Sequence, residues 1–156
     1  MGRLGRIWRG ARALSPAEWY ALIQATVAIP LVVLALRARG LRRTQSALAK
    51  ISRLRPPHND DVEVARRFAR IVTIAGSYGL HRPNCLQRSL VLWAILRRHH
   101  IDTQLRIGVA PPRGDDGVLF HAWLELGDEV VNDRPDVTDI YRPFEAAIEA
   151  APNAFD

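Results

Sequence analysis

Three residues in this 156-residue chain could together break an amide bond: Cys85, His121 and Asp133. A thiol attacks a carbonyl as the thiolate, and a free thiol with a pKa of about 8.5 needs help to ionise at neutral pH. Cys85 follows the loop Leu80–Asn84 and opens a helical pattern, where the macrodipole and unpaired backbone N–H groups favour an anion. His121 sits in Val118-Leu-Phe-His-Ala-Trp-Leu-Glu125, an otherwise apolar and aromatic strand pattern. Alternation puts it on one side with Trp123 and Glu125, opposite Phe120, Ala122 and Leu124. A satisfied histidine at a sheet margin would fit that pattern too, and Asp133 tips the balance. With a three-residue turn Leu126-Gly127-Asp128, Glu125 faces Glu129 and His121 faces Asp133, within reach of an imidazole N–H. A two- or four-residue turn would put Asp133 on the other face. Nucleophile at a helix start, base on a strand and orienting carboxylate on the next strand is the logic of nucleophilic catalysis.

The backbone N–H of Cys85 is a natural oxyanion donor, with Asn84 or Gln87 as candidates for the second. His81, His99 and His100 read as surface residues, and Arg88 as an ion-pair or packing residue rather than a substrate clamp. The histidines lack HExxH or CxxC spacing and there is one cysteine, so the sequence implies no metal, no cofactor and no intramolecular disulfide.

These residues need elements to hold them. Ser15-Pro16-Ala17-Glu18 has the form of a helix start, with Ser at the cap, Pro next and Glu three residues on. Trp19 to Leu36 then runs without a charge, with Pro30 expected to kink it and Gly40 to end it. A short second helix is expected over Thr44–Leu54. Asp60-Asp61 caps an amphipathic helix with Val62, Val64, Ala65, Phe68, Ile71, Val72 and Ala75 on its apolar face, closed by Gly76 and Gly79. The helix from Cys85 to about His99 presents Leu86, Leu90, Leu92, Trp93, Ile95 and Leu96. Strand alternation follows over 104–109, 118–126 and 129–133, and Tyr141-Arg142-Pro143-Phe144 looks like an anchored turn. Helices followed by a three-stranded meander make an α+β domain.

Charge divides the chain. Residues 1–55 carry eleven Lys/Arg against one acidic residue, Glu18, whereas residues 56–156 carry eleven Arg against fifteen Asp/Glu. Arg55-Pro56-Pro57 marks the boundary, giving a basic helical extension over 1–55 and the site-bearing domain over 56–156. The basic segment lacks aromatic interleaving and any nucleic-acid motif, so nucleic acid is not an expected partner. The apolar helix has three readings: packed on the domain or a partner, lying on a membrane surface through residues 16–39, or crossing the membrane.

The runs Asn84–Arg98 (NCLQRSLVLWAILRR), Leu105–Val109 (LRIGV), Phe120–Glu125 (FHAWLE) and Val130–Asp133 (VVND) closely resemble the lasso-peptide leader peptidases, B-proteins with a transglutaminase-like C-terminal domain. The resemblance covers roughly residues 45–145. It implies a transglutaminase/papain-like core with Cys85, His121 and Asp133 as the triad. It also implies cleavage of a ribosomally made precursor peptide at its leader, freeing an amine that a separate ATP-dependent cyclase joins to an acidic side chain. A small leader-binding protein is an implied partner, and the expected location is cytoplasmic, with peripheral contact at the inner membrane. Two other readings stand beside it: a catalytically degenerate scaffold of a biosynthetic complex, and acyl transfer to an amine other than water by the same triad.

Overall fold

The computed structural model describes residues 15–50, 61–79, 81–111 and 118–144. The first helix, α1 (Pro16–Ala49), begins as its sequence demands. Ser15 Oγ accepts the Glu18 N–H at 3.3 Å, and Glu18 Oε2 accepts the Ser15 N–H at 2.7 Å. Helical geometry runs through Pro30 and breaks instead at Gly40, whose φ of 73° is open to glycine at no steric cost. Helix resumes directly after Gly40, and Thr44 Oγ1 donates back to the Gly40 carbonyl at 2.8 Å. The expected second helix therefore begins earlier than Thr44, and its last residues, 51–54, lie outside those described.

One face of α1, with Ala21, Ala25, Ile29 and Val32, is buried in the same core as Val72 of α2 (Asp61–Tyr78) and Leu92 of α3 (Cys85–Arg98). The proposed boundary near Pro56 lies outside the described residues, and the core is continuous across it. The apolar face read for α2 is the one it buries, with Ala65, Phe68, Ile71, Val72 and Ala75 all turned inward. Gly76 does not close this helix. It is buried within it, where a Cβ would come within 2.8 Å of Pro83 Cγ. The missing side chain lets the loop before Cys85 lie against α2.

The sheet has four strands rather than three, in the order β3-β2-β1-β4, all antiparallel. β1 (Gln104–Ala110) pairs with β2 (Leu119–Leu126), with Gly108 opposite His121 and Arg106 opposite Trp123. β3 is only Glu129–Val130, and β4 is Arg142–Pro143, at the far edge where proline's missing N–H does no harm. Between them lies a short helix, α4 (Val137–Ile140). Ala122 and Leu124 join Leu105 in the core shared with the helices, so the architecture is α+β: a helical layer packed on one face of a small antiparallel sheet.

Candidate active site

Cys85 is the first residue of α3, half-buried against the core. The start of this helix is fixed by a reciprocal cap: Asn84 Oδ1 accepts the Gln87 N–H at 2.9 Å and Gln87 Oε1 accepts the Asn84 N–H at 3.1 Å. His81 Nε2 lies 3.3 Å from the same Gln87 oxygen, so His81 braces the loop rather than standing in solvent. The side-chain amide oxygens of Asn84 and Gln87 are thus engaged in the cap. The Cys85 N–H is among the donors that every helix start leaves without an intrahelical partner, which suits it to an oxyanion.

His121 Nε2 lies 2.6 Å from Asp133 Oδ2, and Asp133 Oδ1 accepts the Arg134 N–H at 2.8 Å. Both carboxylate oxygens are held, and the imidazole is fixed through Nε2, leaving Nδ1 as the nitrogen able to take a proton from elsewhere. The Tyr141 ring stacks on the imidazole at 4.8 Å between centroids, and Trp123 lies along the strand at 6.2 Å. Trp123 itself fills the space over Gly108, where a Cβ would meet its ring at 2.7 Å. Its indole N–H donates to Glu125, which also accepts from Arg106, each at 2.7 Å.

The route by which Asp133 reaches His121 is not the expected one. The β2–β3 turn has two residues, with Gly127 at φ 59° as the first, the sign a II′-type hairpin needs there. Glu125 therefore pairs with Val130, and Leu126 with Glu129. A continued ladder in this register would carry Asp133 to the opposite face. It does not continue. After Val131, whose N–H still donates to the Leu124 carbonyl at 3.0 Å, the chain bends away over 131–133. Asn132 Oδ1 then accepts the Leu124 N–H at 2.7 Å, a side chain doing what strand backbone would otherwise have done.

The same Asn132 ties the bend to the helix carrying Cys85. Its Nδ2 donates to Ser89 Oγ at 2.8 Å, and Ser89 Oγ donates to the Ala122 carbonyl at 3.0 Å. Ser89 lies one turn beyond Cys85, Ala122 next to His121 and Asn132 next to Asp133, so one fully buried hydroxyl joins the three segments that bear the candidate residues. The sequence signal for it was a lone hydroxyl on an otherwise apolar helix face. No hydrogen bond joins Cys85 to His121 among the described residues. The structure therefore brings His121 and Asp133 into direct contact and places Cys85 on the element locked beside them.

Two hollows adjoin Asp133. One, of about 440 Å³, opens on His121, Asp133, Val137, Ile140 and Tyr141. The other, of about 880 Å³, runs between α2 and the bend, with Ile74, Val131, Asp133 and Arg134 among its walls. Arg88, read as an ion-pair or packing residue, forms no ion pair among the described residues. Its Nε is buried without a partner among the described residues, at a separate cavity shared with Arg82 and Ser77. His99 is likewise not a plain surface residue: its ring lies 4.6 Å from that of Phe68, and burial, with the neighbouring Arg98 and His100, holds it below the ordinary histidine range. His100 is exposed, as expected. Among the described residues no three His, Cys, Asp or Glu side chains converge as a metal site would require.

The chain matches the profile of the Transglutaminase-like superfamily over residues 25–146 and belongs to that family. The matched span begins inside α1. Among individual proteins, the chain is similar to the microcin J25-processing protein McjB of Escherichia coli, with 35% identity over 60 residues. That stretch takes in 38% of this chain and 27% of McjB, well short of the whole relative. No solved structure matches.

Proposed function

We propose that this protein is a cysteine peptidase that removes the leader from a ribosomally made lasso-peptide precursor. The observation that carries the reading is the 2.6 Å contact of His121 Nε2 with Asp133, on a strand pinned through Ser89 to the helix that opens with Cys85. The likeness to a microcin-processing protein and the sequence resemblance to the lasso-peptide leader peptidases supply the substrate class.

In this reading Nδ1 of His121 takes the proton of Cys85 as the thiolate adds to the scissile carbonyl. The backbone N–H of Cys85 faces the developing oxyanion. The C–N bond breaks, the imidazolium gives its proton to the leaving amine, and the leader remains as a thioester on Cys85. Water, deprotonated by His121, then cleaves the thioester and returns the thiol. The freed amine is the N-terminus of the core, available for macrolactam formation by a separate ATP-dependent cyclase. The thiol–imidazole contact forms when substrate binds, since catalytic hydrogen bonds tighten in the Michaelis complex. A small leader-binding protein presents the precursor.

The absence of a Cys85–His121 hydrogen bond favours a second reading, a transglutaminase-like scaffold of a biosynthetic complex that performs no cleavage. Incubating the precursor with the protein and its leader-binding partner, and weighing the products by mass spectrometry, separates the two. The peptidase reading expects leader and core from the wild type and intact precursor from Cys85→Ala. Intact precursor from both, or equal cleavage by both, removes it.

A further inference from the structure

Among the described residues, the outer face of α1 is apolar and uncovered. Trp19, Tyr20, Ile23, Val27, Leu31 and Leu34 are between 43% and 65% exposed. At 100° per residue they fall on one side of the helix, opposite the buried stripe of Ala21, Ala25, Ile29 and Val32. A surface helix ordinarily puts charged or polar groups on its outer side, and one that is apolar all round is covered by something. No charged residue occurs between Trp19 and Leu36, and the helix has a mean hydropathy of 2.0 over its most apolar window.

Three features say what covers it. First, the face offers almost no hydrogen bonding: Thr26, the exposed hydroxyl beside it, donates back to the Leu22 carbonyl at 2.7 Å. Specific protein interfaces carry about one hydrogen bond per 100–200 Å², whereas hydrocarbon asks for none. Second, the ends are dressed for an interface with water. Trp19 and Tyr20 lie at one end, and exposed Arg37, Arg39, Arg42 and Arg43 at the other, on either side of the Gly40 break. Third, the field is right for anionic headgroups, because residues 1–55 carry eleven Lys/Arg against a single acidic residue and Glu18, that residue, is held in the helix cap. The inner stripe also excludes a span. Ala21, Ala25, Ile29 and Val32 are part of the domain core, and lipid could surround α1 only if it were stripped from α2 and α3.

We propose that α1 lies along an anionic membrane surface, its outer apolar face in the acyl boundary and its arginines on lipid phosphates, with the rest of the domain held above. The proposal is independent of what Cys85 does.

The test is flotation of the full chain with vesicles. Wild type should float with phosphatidylglycerol/phosphatidylcholine vesicles and about tenfold less with phosphatidylcholine alone. The Leu31→Glu/Leu34→Glu variant should lose flotation by about tenfold while keeping the wild-type circular dichroism spectrum, because both positions face outward. The idea is overturned if wild type floats with neither vesicle, or if the double variant floats as well as wild type. It is also overturned if the free protein is a dimer that the double variant converts to monomer, since the face would then belong to a second copy.

Discussion

The junction of α3, β2 and the 131–133 bend departs from the usual distribution of polar and apolar groups in one direction, and the outer face of α1 in the other. At the junction, polar atoms are buried and each meets a partner: Ser89 with Ala122 and Asn132, Asn132 with Leu124, His121 with Asp133. On α1, Ile23, Leu31 and Leu34 are more than half exposed among the described residues. A buried polar group is costly unless paired, so a saturated network fixes one geometry. An exposed apolar stripe fixes none and awaits a surface. The contrast separates a region that positions side chains from one that, as proposed above, attaches the molecule to a membrane.

Breaking the buried contacts should cost stability, whereas changing the outer face of α1 should not. Deleting residues 1–55 is the severest change, because it removes the inner stripe of α1 from the core; the remainder should lack a cooperative thermal transition by circular dichroism. Ser89→Val comes next. It strands the Ala122 carbonyl and the Asn132 amide, and should lower unfolding free energy in urea by about 3 kcal/mol. Gly76→Ala pushes a methyl against Pro83 and should cost about 1–3 kcal/mol in the same assay; under the proposed peptidase function, precursor cleavage should also slow through the displaced Cys85 loop. Leu31→Ala, on the outer face of α1, should change stability by no more than about 0.5 kcal/mol. A large loss there would mean the outer stripe is covered within the protein itself.

The smallest expected effect is electrostatic. His99 is held below its usual range chiefly by burial, so the folded state favours the neutral ring. Its contribution is therefore complete above the unfolded-state value of about 6.5 and is lost as pH falls through the folded value. His99→Phe should flatten the decline in melting temperature between pH 7 and pH 5. An unchanged slope would place the acid sensitivity elsewhere.

Much of this arrangement could be read from residue order, for physical reasons that also mark where reading fails. The faces of α2 and α3 follow helical periodicity, and the start of α1 follows from Ser15/Glu18, because these signals act within one or two turns. The matching Asn84/Gln87 cap of α3 went unread, since both residues read as oxyanion candidates. The order of helices and strands gave α+β in the same way. The hairpin register was misread by one residue, since Gly127 serves a two-residue turn as readily as a three-residue one. The His121–Asp133 contact survives that error only because the chain leaves the ladder at Val131 and Asn132 substitutes for strand backbone. Nothing local announces that bend. Ser89 and Asn132 escaped notice because their partners lie 33 and 43 positions apart in sequence. Tyr141 was read as part of a turn, but its stacking on His121 depends on β4, a two-residue strand too short for alternation to reveal.

The central claim is that the His121–Asp133 pair serves Cys85. With a single cysteine in the chain, alkylation by iodoacetamide reports on that thiol alone. The measurement is the alkylation rate at pH 7 in wild type, His121→Ala, Asp133→Ala and the double variant. Cys85 should react about tenfold more slowly in each single variant, and the double variant should be no slower than His121→Ala, since the residues act as one unit. Equal rates in all four proteins would contradict the account.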